Sequence, residues 1–127
     1  MLASKRTDRR TRPAVAGGPE VEVLRPEGDL DAGMVPDIRR KVMGLAAGTR
    51  LVIDLGATEF IDSVGVGLLI GISRSVRSNG GCVVLAGPRP SVSKVLRVTG
   101  VAEIVQVAAT VAEAVGLLAA WSAVSFG

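Results

Sequence analysis

The chain has 127 residues, a formal net charge of +3, one cysteine, and neither histidine nor tyrosine. That length suits one domain with a substantial core, and the missing residue types exclude a Ser-His-Asp or Cys-His catalytic system, a histidine zinc site and a thiolate cluster. Nearly half of the residues are apolar, yet the aromatics are only Phe60, Trp121 and Phe126, so Val, Leu, Ile and Ala have to build the core.

Residues 1–19 hold Lys5, Arg6, Arg9, Arg10 and Arg12 against Asp8 alone, among Ser, Thr, Pro and Gly and without periodicity. This composition predicts a disordered basic tail, with the folded domain spanning 20–127. The basic excess lies in the tail, which argues against direct nucleic-acid binding as the main role. No apolar run reaches the length of a bilayer span and no signal-peptide core follows the basic start, so a soluble, cytoplasmic protein without membrane contact is expected.

From residue 20 the chain alternates between two periodicities. Glu20–Pro26 alternates as a half-exposed strand, with Val21 and Val23 inward. Gly28-Asp29-Leu30-Asp31 follows, with Asp31 as the expected N-cap of a helix whose stripe is Met34, Ile38, Val42 and Leu45. Leu51–Leu55 is an unbroken β-branched-rich run and reads as a buried strand. A loop with Gly56 as breaker and Phe60-Ile61 as apolar anchors leads to Asp62-Ser63, either of which can cap the next helix. Val64, Leu68, Ile72 and Val76 form that helix's stripe, Ser73, Arg74, Arg77 and Ser78 fall on other faces, and Asn79-Gly80-Gly81 ends it. Cys82–Ala86 is a second buried strand, with Cys82 read as an inert core thiol. A short helix over Ser91–Val98, a last strand over Glu103–Val107, and a helix capped by Thr110 complete the pattern. Strands alternating with helices predict an α/β fold around a largely parallel sheet, buried on both faces.

Few residues offer chemistry. No Walker-type phosphate loop is present. Gly65, Gly67 and Gly71 approximate a dinucleotide fingerprint, but the last spacing is one residue too long and the glycines fall inside the helix. Asp54 ends a strand as a receiver-domain aspartate would, with Asp29 and Asp31 imitating the acidic pair. Val107–Thr110 supplies no lysine, so Asp54 is read as a loop hydrogen-bond acceptor. Ser63 stands out: a serine at a helix start can present its hydroxyl to solvent, where first-turn N–H groups and the helix dipole favour an added phosphate.

The run Asp54-Leu55, Phe60-Ile61, Asp62-Ser63-Val64-Gly65 and Gly67 resembles the signature of the STAS domain family, above all its bacterial anti-sigma factor antagonists, and Gly28-x-Leu30-Asp31 resembles a second family feature. Where the family has another hydroxyl residue after the serine, this chain has Val64. The resemblance covers about residues 20 to 120. It implies a single STAS-like α/β domain: a four- to five-stranded mixed, mostly parallel sheet with helices mainly on one face. It further implies a non-enzymatic binding module without a cofactor of its own. Such a module binds an anti-sigma factor with a GHKL-type serine kinase fold, is phosphorylated at Ser63 and released, and is restored by a PP2C-type phosphatase. The ATP and Mg²⁺ belong to the kinase. The docking surface would comprise Asp29, Asp31, Glu59, Asp62, Ser63, Val64, Gly65 and Gly67, the two glycines letting a partner backbone approach. Two other classes remain: a free-standing STAS subunit of a lipid-transport ATPase or stress-sensing assembly, and an enzyme or nucleotide-binding protein.

Overall fold

The computed structural model of the chain describes residues 11–13 and 20–122. Five strands lie side by side in chain order: β1 (Thr11–Pro13), β2 (Glu20–Leu24), β3 (Arg50–Asp54), β4 (Cys82–Ala86) and β5 (Gln106–Ala108). The pairs β2–β3, β3–β4 and β4–β5 are parallel, whereas β1 is antiparallel to β2. The mixed, mostly parallel five-stranded sheet agrees with the expected fold class. β1 falls within the segment read as a tail, where no strand pattern is visible. It is an edge strand, in which Pro13 can stand because one of its sides makes no ladder bonds.

The helices are α1 (Val35–Met43), α2 (Ser63–Ser78), α3 (Pro90–Val98), α4 (Val101–Ile104) and α5 (Val111–Ala120). Parallel crossovers are nearly always right-handed, so strands laid down in one direction gather their crossover helices on one face. Accordingly α1 to α4 share one core with the sheet: Ile38, Leu68, Leu69, Ile72, Val92, Leu96 and Val101 meet Leu51, Ile53, Val83 and Leu85. The alternate strand residues Val21, Val52, Val84, Ala86 and Ala108 face the opposite way and, among the described residues, receive Ala114 and Leu118 of α5 alone. The smaller residues thus line the face covered by a single helix. Arg50, at the start of β3, donates from Nη1 to the carbonyls of Leu118 and Trp121 and lies 5.2 Å from the Trp121 ring centre, so a cation closes the C-terminal end of α5.

Three expectations are corrected. The strand predicted over Glu103–Val107 is instead α4 followed by the shorter β5. Gly100, at φ 84°, turns the chain after α3, and Val101 and Val105, four residues apart, both enter the core. Asp31 does not cap α1. The helix begins four residues later with Met34 as N-cap, and Asp31 Oδ1 accepts from the Gly33 N–H at 3.0 Å. Ser73, placed on a face other than the apolar stripe, is nevertheless buried, at 2% exposure.

α2, the longest helix, is set against the rest of the chain at both ends by a glycine. A Cβ on Gly65 would fall well inside contact with the Leu30 carbonyl oxygen and 2.8 Å from Ile61 Cγ1. One on Gly81, just past the helix, would meet the Thr49 carbonyl oxygen and Val76 Cγ1 at 2.8 Å. Gly71, in mid-helix and exposed, has open space around it. Chemical denaturation should therefore separate these glycines: Gly65→Ala and Gly81→Ala each lose about 1–3 kcal/mol or more through overpacking against backbone. Gly71→Ala should gain up to about 1 kcal/mol from helix propensity.

Candidate functional site

Two loops meet beside the start of α2 at the C-terminal edge of the sheet. Leu30 forms a parallel bridge with Ile61: its N–H donates to the Phe60 carbonyl at 2.9 Å, and its carbonyl accepts from the Asp62 N–H at 3.4 Å. Leu30 and Ile61 are buried, so this short pairing anchors both loops and leaves their other side chains outside. Asp29 is exposed and Asp31 half-buried on either side of Leu30, with exposed Glu59 and Phe60 and half-buried Asp62 on the facing segment.

Asp62 is the N-cap of α2. Its backbone is extended (φ −106°, ψ −172°), and Oδ1 accepts from the Gly65 N–H at 2.9 Å. A carboxylate at this place satisfies an orphan donor and complements the helix dipole. Because Asp62 performs the capping, Ser63 does not. Ser63 is the first residue of the helix, exposed, and among the described residues no group hydrogen-bonds its hydroxyl. Next to it, Val64 is 45% exposed and Phe60 55% exposed. Val64 therefore continues the helical stripe in spacing but not in burial. Gly67 adds an open position on the exposed side of the second turn.

The loop between β3 and α2 is held from three directions. Asp54 accepts the Gly56 N–H at 2.9 Å on Oδ1, as its reading as a loop acceptor requires, and its Oδ2 accepts from Arg25 Nη1 at 2.6 Å. Arg25 also approaches Glu27 at 3.6 Å. From the start of α3, Arg89 Nε donates to the Gly56 carbonyl at 3.1 Å and Ser91 Oγ to the Glu59 carbonyl at 3.2 Å. Thr58 is wholly buried, and its hydroxyl has no partner among the described residues.

The sequence-predicted residues Asp29, Asp31, Glu59, Asp62, Ser63, Val64 and Gly67 thus belong to these two loops and the first turns of α2. Gly65 does not present itself to a partner: it is buried, and its missing side chain accommodates Leu30 of the same chain. Phe60, read as an anchor, is largely exposed and joins the surface; Ile61 alone is the anchor. Arg25, Arg89 and Ser91, which hold the loop, were not singled out by the sequence. Their bonds span 29 to 33 residues, and no local pattern announces them. The surface is therefore an apolar pair, Phe60 and Val64, beside an unengaged hydroxyl and rimmed by carboxylates. Among the described residues no group of three or more Cys, Asp or Glu could hold a metal ion, and no helix is long and apolar enough to cross a membrane.

Comparison with known proteins points to one family. The STAS domain model matches residues 12–114. An anti-sigma F factor antagonist of Lysinibacillus sphaericus is 33% identical over 84 residues, covering 64% of this chain and 72% of that protein. An anti-sigma-B factor antagonist of Listeria monocytogenes is 28% identical over 82 residues, covering 63% and 72%. Among solved structures, an anti-sigma-factor antagonist (STAS) domain protein of Planctomyces limnophilus superposes with a TM-score of 0.69 at 22% identity, covering 87% of this chain and 97% of that one. A sulfate transporter family protein of Wolinella succinogenes reaches 0.70 at 17% identity, covering 77% and 84%, which attests the fold alone. With the family model spanning most of its length and the strand order, helices and Asp-Ser helix start in place, the chain belongs to the STAS domain family.

Proposed function

We propose that the protein is an anti-sigma factor antagonist: a binding module that engages an anti-sigma factor with a GHKL-type serine kinase fold and is released when that partner phosphorylates Ser63. The observation that carries this reading is the Ser63 hydroxyl, exposed at the first position of α2 and relieved of capping by Asp62. The relatives named for anti-sigma F and anti-sigma-B factor antagonism support the partner class.

In the unmodified state the partner covers Phe60, Val64 and Gly67, with Asp29, Asp31 and Glu59 at the rim. Burying a neutral hydroxyl there costs little if the partner hydrogen-bonds it. The kinase then forms the Oγ–P bond as the bond from the γ-phosphorus to the β-phosphate oxygen breaks; the hydroxyl proton passes to a base of the kinase and on to solvent, and ADP leaves. The product carries about −1.5 to −2 charges. The free N–H groups of the first helical turn favour this anion in water. Inside a complex it has to be desolvated next to Asp62 and the acidic rim, at a cost of several kcal/mol. A loss of about 2.8 kcal/mol already weakens a complex roughly a hundredfold. The phosphate acts at the contact itself, so the switch needs no refolding. A PP2C-type phosphatase would restore the binding state.

Intact mass after incubation with the candidate kinase and ATP should rise by one phosphate, about 80 Da, in the wild type and not in Ser63→Ala. The same gain in both proteins would place the acceptor elsewhere. In a binding assay with the same partner, Ser63→Glu should be at least about tenfold weaker than Ser63→Ala; equal affinities would refute the charge mechanism.

A further inference from the structure

At the other end of α2, a cleft of about 400 Å³ opens between the last turns of that helix, the beginning of β4 and the α4–β5 segment. That volume lies in the range of small-molecule sites. Arg77, fourteen residues along the helix from Ser63, lies about 21 Å from it at 1.5 Å per residue. The cleft is therefore separate from the surface described above, and nothing that follows rests on the function proposed there.

One wall is apolar: Val83, Val105, Ile104 and the Trp121 ring. Ile104 is 44% exposed, an apolar side chain left open to solvent at the cleft. The polar groups are few. Ser73 lines the cleft at 2% exposure, and among the described residues nothing hydrogen-bonds its hydroxyl. Thr58 alone among the described residues has a sealed hydroxyl without a partner, so the Ser73 oxygen keeps access to the cleft and is open to water or to a ligand. Arg77 also lines the cleft, exposed and without an ion pair among the described residues. Among the described residues no carboxylate lines the cleft. Arg50 contributes charge from below but is committed to the Leu118 and Trp121 carbonyls. Both cations act on the Cys82 thiol at the cleft floor, where burial nevertheless pushes its pKa up and keeps it a neutral thiol.

We propose that this cleft binds a small monocarboxylic acid with a flat apolar body. The body packs between Ile104 and Trp121, and the carboxylate pairs with Arg77 while accepting from the Ser73 hydroxyl. The Arg77 charge favours an anion; the partial negative charge at the C-terminal end of α2 opposes it, and opposes a phosphate dianion more than a monoanion.

The chain's single tryptophan, Trp121, lines the cleft and reports on it directly. The full-length protein is titrated with 4-phenylbutyrate and, in parallel, with its neutral analogue 4-phenylbutyramide, following Trp121 emission. The acid should give a saturable change with a Kd below roughly 1 mM, and the amide should bind at least about tenfold more weakly. Arg77→Gln should weaken the acid about tenfold and leave the amide unchanged. Gln106→Glu, which adds a negative charge at an exposed lining position, should weaken the acid alone. Both positions are exposed, and unchanged circular dichroism confirms that the variants fold. No saturable change up to about 10 mM, equal binding of acid and amide, or full retention of acid binding by Arg77→Gln would each overturn the assignment.

Discussion

The Leu30 carbonyl group is the contact on which the C-terminal edge of this molecule depends. It faces the first turn of α2 so closely that residue 65 can carry no side chain, and it accepts the Asp62 N–H while the Leu30 N–H pairs with Phe60. A backbone carbonyl cannot yield as a side chain can. One buried residue therefore sets the distance between two loops, and with it the positions of Asp29 and Asp31 relative to Phe60, Ser63 and Val64. Gly65 serves this internal fit, which gives a family-signature glycine a physical reason independent of any partner.

Asp62 and Ser63 divide two tasks that one residue often combines. Asp62 caps the helix through the Gly65 N–H, so the stability of α2 does not depend on the state of the serine hydroxyl. Modification at Ser63 then changes surface charge without removing a structural hydrogen bond. The loop leading to it is fastened by Asp54, Arg89 and Ser91, which keeps the hydroxyl on a preorganised platform.

Much of this was legible in the sequence because it is local. The unbroken runs at 51–55 and 82–86 announce strands buried on both faces, and the four-residue spacing from Leu68 to Val76 announces α2. The Asp-Ser pair before that spacing marks the helix start. What could not be read was decided across the fold. Val101 and Val105 follow helical spacing for only one turn, too short to outweigh the β-branched run that contains Val105. Asp31 has the chemistry of a cap, but its carboxylate closes a local turn at Gly33 instead. Ser73 falls outside the apolar stripe in sequence, yet it is buried where α2 meets β4 and α4. Gly65 and Gly67 look equivalent, yet only the first meets another part of the chain.

The five strands lie in the sheet in the order in which they occur along the chain. No strand has to be inserted between two that have already paired. Each parallel pair is closed by one crossover between strands that are consecutive in the chain, which keeps the sheet's pairings comparatively short in sequence. The helix α5 packs against β2, β3, β4 and β5 and covers the second apolar face of the sheet. Docking of this one helix therefore couples the first parallel strand of the sheet to the last.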